Sequence, residues 1–135
     1  MYAATYIRER RIVLDEELLS DPARLRFILV HELFHFVWTR LSNEARAEFE
    51  SLLAHEHERR ARGEVGESSA VSKSALARPN TARDTKGWRE YVCESFCDTA
   101  AWVVCGESQG VKLAQKWRDR REAWFDRRLQ DAVKC

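Results

Sequence analysis

The stretch LRFILVHELFHFVWTRL, from Leu25 to Leu41, limits what this chain can fold into more than any other segment. As a helix it is apolar on nearly every side, so other elements must cover it, and it is expected to be the central buried helix. Ser20 or Asp21 can cap its start, and Pro22 suits the first turn, where a missing N–H costs nothing. Inside this apolar surface lie His31, Glu32 and His35, and buried polar groups need partners. One core histidine could be satisfied by a neighbour. Two of them four residues apart, with a glutamate directly after the first, spell HExxH.

Residues four apart on an α-helix project from one face about one turn apart, so both imidazoles can reach a single tetrahedral metal ion. Glu32 lies about 100° round from His31, beside such an ion rather than on it, where a carboxylate can take a proton from metal-bound water. The expected cofactor is Zn²⁺, whose catalytic sites use three protein ligands and keep one position open. The third ligand has to come from elsewhere in the chain. WREYVCESFCDTAAWVV, about Trp88 to Val104, carries Glu90, Glu94 and Asp98 at four-residue spacing among Val92, Phe96, Trp102 and Val103. Carboxylates on so apolar a helix require partners. One arrangement puts Glu94 on the metal and Asp98 against the far nitrogen of a ligand histidine, fixing its tautomer. Glu90 as ligand, with Glu94 as its partner, fits the same spacing, which leaves the order open.

The rest of the chain supplies a scaffold of one domain, residues 1–135. TYIRERRIVL, Thr5 to Leu14, is β-prone and predicts one strand or a short hairpin. A second helix is expected after Ser42 or Asn43, through EARAEFESLLAHEHERRAR, with Phe49, Leu52 and Leu53 as its apolar stripe and a mostly solvated remainder. Residues 61–87 lack periodicity and read as a long loop. The Trp88–Val104 helix should stop at Gly106, and a last helix, about Ser108 to Val133, should turn Val111, Leu113, Trp117, Trp124, Phe125 and Leu129 to the core.

HELFH followed by ESFCDTAAW resembles the gluzincin metallopeptidases, which pair HExxH with a downstream helix bearing ExxxD. Glu94, Cys97, Asp98 and the following TAA are similar to the E-x-x-A-D-x-F-A-A helix of ImmA/IrrE-type metallopeptidases, with Cys97 where alanine is usual. In size the chain is also similar to the minigluzincins. The resemblance implies a zincin-like α+β domain, mainly helical with a short N-terminal strand or small sheet. It also implies His31, His35 and Glu94 as zinc ligands, Glu32 as general base and Asp98 behind a ligand histidine, favouring Glu94 over Glu90. In related zincins an edge strand beside the motif helix binds extended substrate, a part that falls here to Thr5–Leu14. The expected function is therefore zinc-dependent hydrolysis of a peptide or protein.

Two other readings use the same residues. A zincin scaffold kept for binding or regulation would have little turnover, and an intact Glu32 speaks against it. Cys93, Cys97 and Cys105 with His31 and His35 would make a closed Cys₂His₂ structural zinc module, in which Glu32, Glu94 and Asp98 have no role. The four cysteines, Cys135 among them, are instead read as free thiols. For the substrate oxyanion the candidates are His55, His57, Arg89 and Tyr91.

A net charge of +1 steers the chain to no nucleic acid, and the cluster Lys112, Lys116, Arg118, Arg120, Arg121, Arg127 and Arg128 is read as a solvated helix face. No apolar run is long enough for a membrane span. MYAATYIRERR lacks an apolar segment of signal-peptide length, so the expected location is the cytoplasm.

Overall fold

A β-hairpin begins the part of the chain described by the computed structural model, which covers residues 3–76, 85–106 and 113–133. β1 (Ala3–Tyr6) and β2 (Arg11–Leu14) pair antiparallel, with Ala3 opposite Leu14 and Tyr6 opposite Arg11. Arg10 closes the turn at φ 53°, donating its N–H to Ile7 O at 3.1 Å. The Arg11 guanidinium lies 4.7 Å from the centre of the Tyr6 ring. Asp15 then caps a short 3-10 turn, Glu16–Ser20, that buries Leu18.

Asp21 caps α1 (Pro22–Arg40), accepting from Arg24 N at 3.2 Å, with Pro22 in the first turn. Ser42 caps α2 (Asn43–Glu58) in the same way. Within the stretch expected to be a loop, Glu67–Ser74 forms a further helix, α3. Eight residues with no apolar stripe make a helix only when tertiary contacts hold it. Ser69 supplies one such contact, to Asp98, and Lys73 another, donating to Ala61 O and Gly63 O at 2.8 and 2.9 Å. The rest of that stretch includes residues 77–84, which lie outside the described residues. Thr85 caps α4 (Lys86–Cys105), and Gly106 ends it in the left-handed region, at φ 74°. The last helix, α5, runs Gln115–Val133. Residues 107–112, with Val111 and Lys112, lie outside the described residues, as do Cys135 and the Leu129 side chain.

The fold is mainly helical with a small two-stranded sheet, consistent with an α+β class. The centre is α4 rather than α1. Ten residues of α4 are buried, from Trp88 to Ala101, whereas α1 buries only Phe27, His31 and Glu32 and leaves Leu33 47% exposed. The apolar surface of α1 is shared between the core, where Phe34 and Trp38 pack, and the margin of a cleft. Phe96 sits among Phe49, Trp124 and Phe125, stacking on Phe125 at 5.2 Å between ring centres. The aromatic residues of α5 thus cover the core as their spacing predicts, with Trp117 in a smaller cluster beside Val65 and Leu113. No described helix is long and apolar enough to cross a membrane.

One member of the basic C-terminal cluster is not solvated. Arg121 is fully buried, and all five of its N–H donors are used: two on Glu56, two on Glu64 and one on Thr99 Oγ1. Tyr91 and Ser95 also donate to Glu64. The network joins α2, α4, α5 and the segment leading into α3. Arg128, by contrast, remains near the surface and pairs with Glu48 and Glu44.

Candidate metal centre

Packing of α1 on α4 brings the HExxH residues to the acids of the downstream helix. Glu94 reaches both motif histidines: its Oε2 is 2.9 Å from His31 Nε2 and its Oε1 is 3.8 Å from His35 Nε2. The two imidazoles meet edge to face, 5.1 Å between centres. On its other side His31 donates from Nδ1 to Asp98 Oδ1 at 2.7 Å. Asp98 lies one turn beyond Glu94 on α4, so one helix face serves both nitrogens of His31.

Asp98 is itself held from a third element. Its Oδ2 accepts two hydrogen bonds from the first turn of α3, from Ser69 N at 2.8 Å and from Ser69 Oγ at 2.7 Å. The backbone comes close enough at Gly66 that an added Cβ would collide with the Asp98 carboxylate. Gly66 is extended, at φ −160° and ψ 167°, so space and not backbone conformation demands glycine there.

The metal-free site holds protons tightly. Burial disfavours charge on His31, but hydrogen bonds to Asp98 and Glu94 outweigh it and raise its pKa from 6.5 to about 10. His35 is raised as well: burial opposes, while Cys93 and Glu94 favour the cation. Glu94 is pushed up by burial and pulled down further by His31 and His35, so it is held as carboxylate. Cys93 Sγ lies 3.6 Å from His35 Nδ1. A hydrogen bond from Cys97, with His35 adding to it, draws the Cys93 thiol down to about 6 against the effect of burial.

The donor chemistry fits a metal ion. His31, His35 and Cys97 each offer a ligand atom within 4.8 Å of the others, so this buried group can hold one. Glu94 is a competing third donor, since its oxygens face the Nε2 atoms of both histidines. The two donors differ in ionisation. Cys97 is wholly buried in the core, which pushes its thiol well above the usual range, so it stays protonated. Glu94 is already charged.

No protein-family model matches the chain, nor does any curated protein or solved structure.

Glu32 is buried beside His31, with Oε2 3.6 Å from Nε2. Its other oxygen accepts a hydrogen bond from the Thr5 hydroxyl at 2.7 Å, so β1 fixes the carboxylate orientation. His31 and Glu32 border a cleft of about 550 Å³ whose lining includes Ala3, Phe27, Ile28, Glu67, Val71 and Cys93. Glu90 stands at the same cleft, largely exposed, with its carboxylate 3.9 Å from Lys86 Nζ. The oxyanion candidates are placed elsewhere: Tyr91 is buried against Glu64, His55 and His57 pack on Trp117 and Trp88, and neither these nor Arg89 line the cleft. A cation that does line it is Arg24, paired with Glu67 at 3.2 Å. Thr5, Gly66 and Ser69 carry no motif signal, because each meets the site through a contact between elements distant in the chain.

Proposed function

We propose that the chain is a zinc-dependent peptidase of the gluzincin type, with His31, His35 and Glu94 as ligands and Glu32 as general base. The observation that carries this is the Glu94 carboxylate set against Nε2 of both motif histidines, with Asp98 on Nδ1 of the first. Charge favours Glu94 over Cys97, whose buried, protonated thiol would have to lose a proton inside the core. A closed cysteine-rich site would need Cys97, which does gather with His31 and His35, and would leave Glu32, Glu94 and Asp98 without a role.

Zn²⁺ bound there would supply a Lewis acid and lower the pKa of a bound water. Glu32, held by Thr5 and directed at the same point, takes a proton from the attacking water and passes it to the leaving amine. Among the described residues β1 pairs on one side only, with β2, and its Ala3 lines the cleft. An extended peptide adding to the open edge gains main-chain hydrogen bonds and places its scissile bond beside Glu32.

The decisive experiment is a peptide-library digest with the zinc-loaded wild type and Glu32→Gln. Wild-type cleavage that falls by about 100-fold or more in a variant retaining zinc supports the reading. Digestion by neither protein, with zinc bound to both, leaves a scaffold that binds without turnover. Thr5→Val tests the orientation of the base. Losing one hydrogen bond to a charged group should lower kcat about tenfold with KM little changed, measured on the best library peptide.

A further inference from the structure

α3 carries two functions on its two faces. Outward, Glu67, Ser68, Val71 and Ser72 line the cleft; inward, Ser69 is fully buried and gives both its backbone N–H and its hydroxyl to Asp98 Oδ2. With His31 on Oδ1, the Asp98 carboxylate accepts hydrogen bonds at both oxygens and has no rotamer left to explore. The far end of α3 is fixed too, through Lys73 to the carbonyls of Ala61 and Gly63, just ahead of Glu64 of the buried Arg121 network.

We infer that Ser69 is a positioning residue for His31, acting through Asp98, and that Gly66 is the space this grip requires. The inference rests on the reading of His31 as a metal ligand only where metal affinity is concerned. Its geometric part concerns the metal-free chain. Two hydrogen bonds from α3 keep the carboxylate in line with Nδ1, so that the Nδ1 proton is the one retained when the ring gives one up, and leave Nε2 facing Glu94. A purely structural Ser69 would turn its hydroxyl back on its own helix, and that hydroxyl does lie 3.2 Å from Gly66 O. The shorter 2.7 Å contact, however, goes to Asp98.

Ser69→Ala removes the hydroxyl, and Gly66→Ala keeps it but displaces the carboxylate. Two quantities are read in each. The first is the His31 Nδ1 proton signal of the ¹⁵N-histidine-labelled, metal-free chain; the second is Zn²⁺ affinity by competition with a chromophoric chelator. Both variants should move the Nδ1 proton upfield and weaken Zn²⁺ binding about tenfold, a loss of the size seen when outer partners of a ligand histidine are removed. Ser69→Cys, nearly isosteric with a weaker donor, should fall between wild type and alanine and serves if the alanine variant fails to fold. Variants with lowered melting temperature but wild-type Nδ1 signal and affinity would overturn the inference, leaving Ser69 a residue that only stabilises α3. If the wild type takes up no Zn²⁺ while the Nδ1 signal still moves in the variants, the grip stands and the peptidase reading falls.

Discussion

Replacing Arg121 by alanine is expected to destabilise the chain by about 3–5 kcal/mol, enough to leave a marginally stable domain largely unfolded. The loss of packing is the smaller part. Glu56 and Glu64 would remain buried with their main counter-charge gone. A urea titration at neutral pH should show the change as a lowered midpoint with an unchanged slope. Removing the charges together, as Arg121→Met with Glu56→Leu and Glu64→Met, should recover much of the loss, because apolar replacement of an entire buried ion cluster is often neutral. If the alanine variant matched wild type, the network would not be a clamp.

The same network sets a dependence on acid. Burial raises the Glu64 carboxyl, but the charge and hydrogen bonds of Arg121 outweigh it, and its pKa drops from 4.5 to about 2. A carboxyl whose folded pKa is depressed binds protons more readily in the unfolded chain. Its stabilisation is therefore complete above about pH 4.5 and is lost as pH falls toward 2. Glu64→Gln should flatten that part of the stability curve while lowering the plateau above it.

The second large effect concerns the metal. One Zn²⁺ per chain is expected for wild type and for Cys97→Ser, whereas His35→Ala and Glu94→Ala should bind it weaker by more than about 100-fold, beyond the range of outer-partner losses. Metal analysis after dialysis, with chelator competition, reads both numbers. Retention in Glu94→Ala with loss in Cys97→Ser would transfer the third position to the thiol. Affinity should also rise with pH, because His31 must release a proton that it otherwise holds up to about pH 10.

Helix periodicity made part of this site legible in advance. Spacings of four put His31 and His35 on one face of α1, and Glu94 and Asp98 on one face of α4, and the contact of Asp98 with His31 is one of the two arrangements those registers allow. Periodicity says less about which apolar helix lies deepest. That is settled by what covers each one, and α4 receives α1, α2, α3 and α5 while α1 borders the cleft. Arg121 was illegible because it shares its stretch with exposed arginines, and only the fold brings Glu56 and Glu64 to it. α3 was illegible for a related reason: its stability comes from Asp98 and from two backbone carbonyls, not from its own residues.

Because α4 holds both the middle of the core and two acids of the site, Glu94 and Asp98 cannot come loose while the core stays intact. Its amides around Glu94 and Asp98 should exchange with solvent only through global opening, so release of His31 from these two acids and unfolding would be one event with one rate.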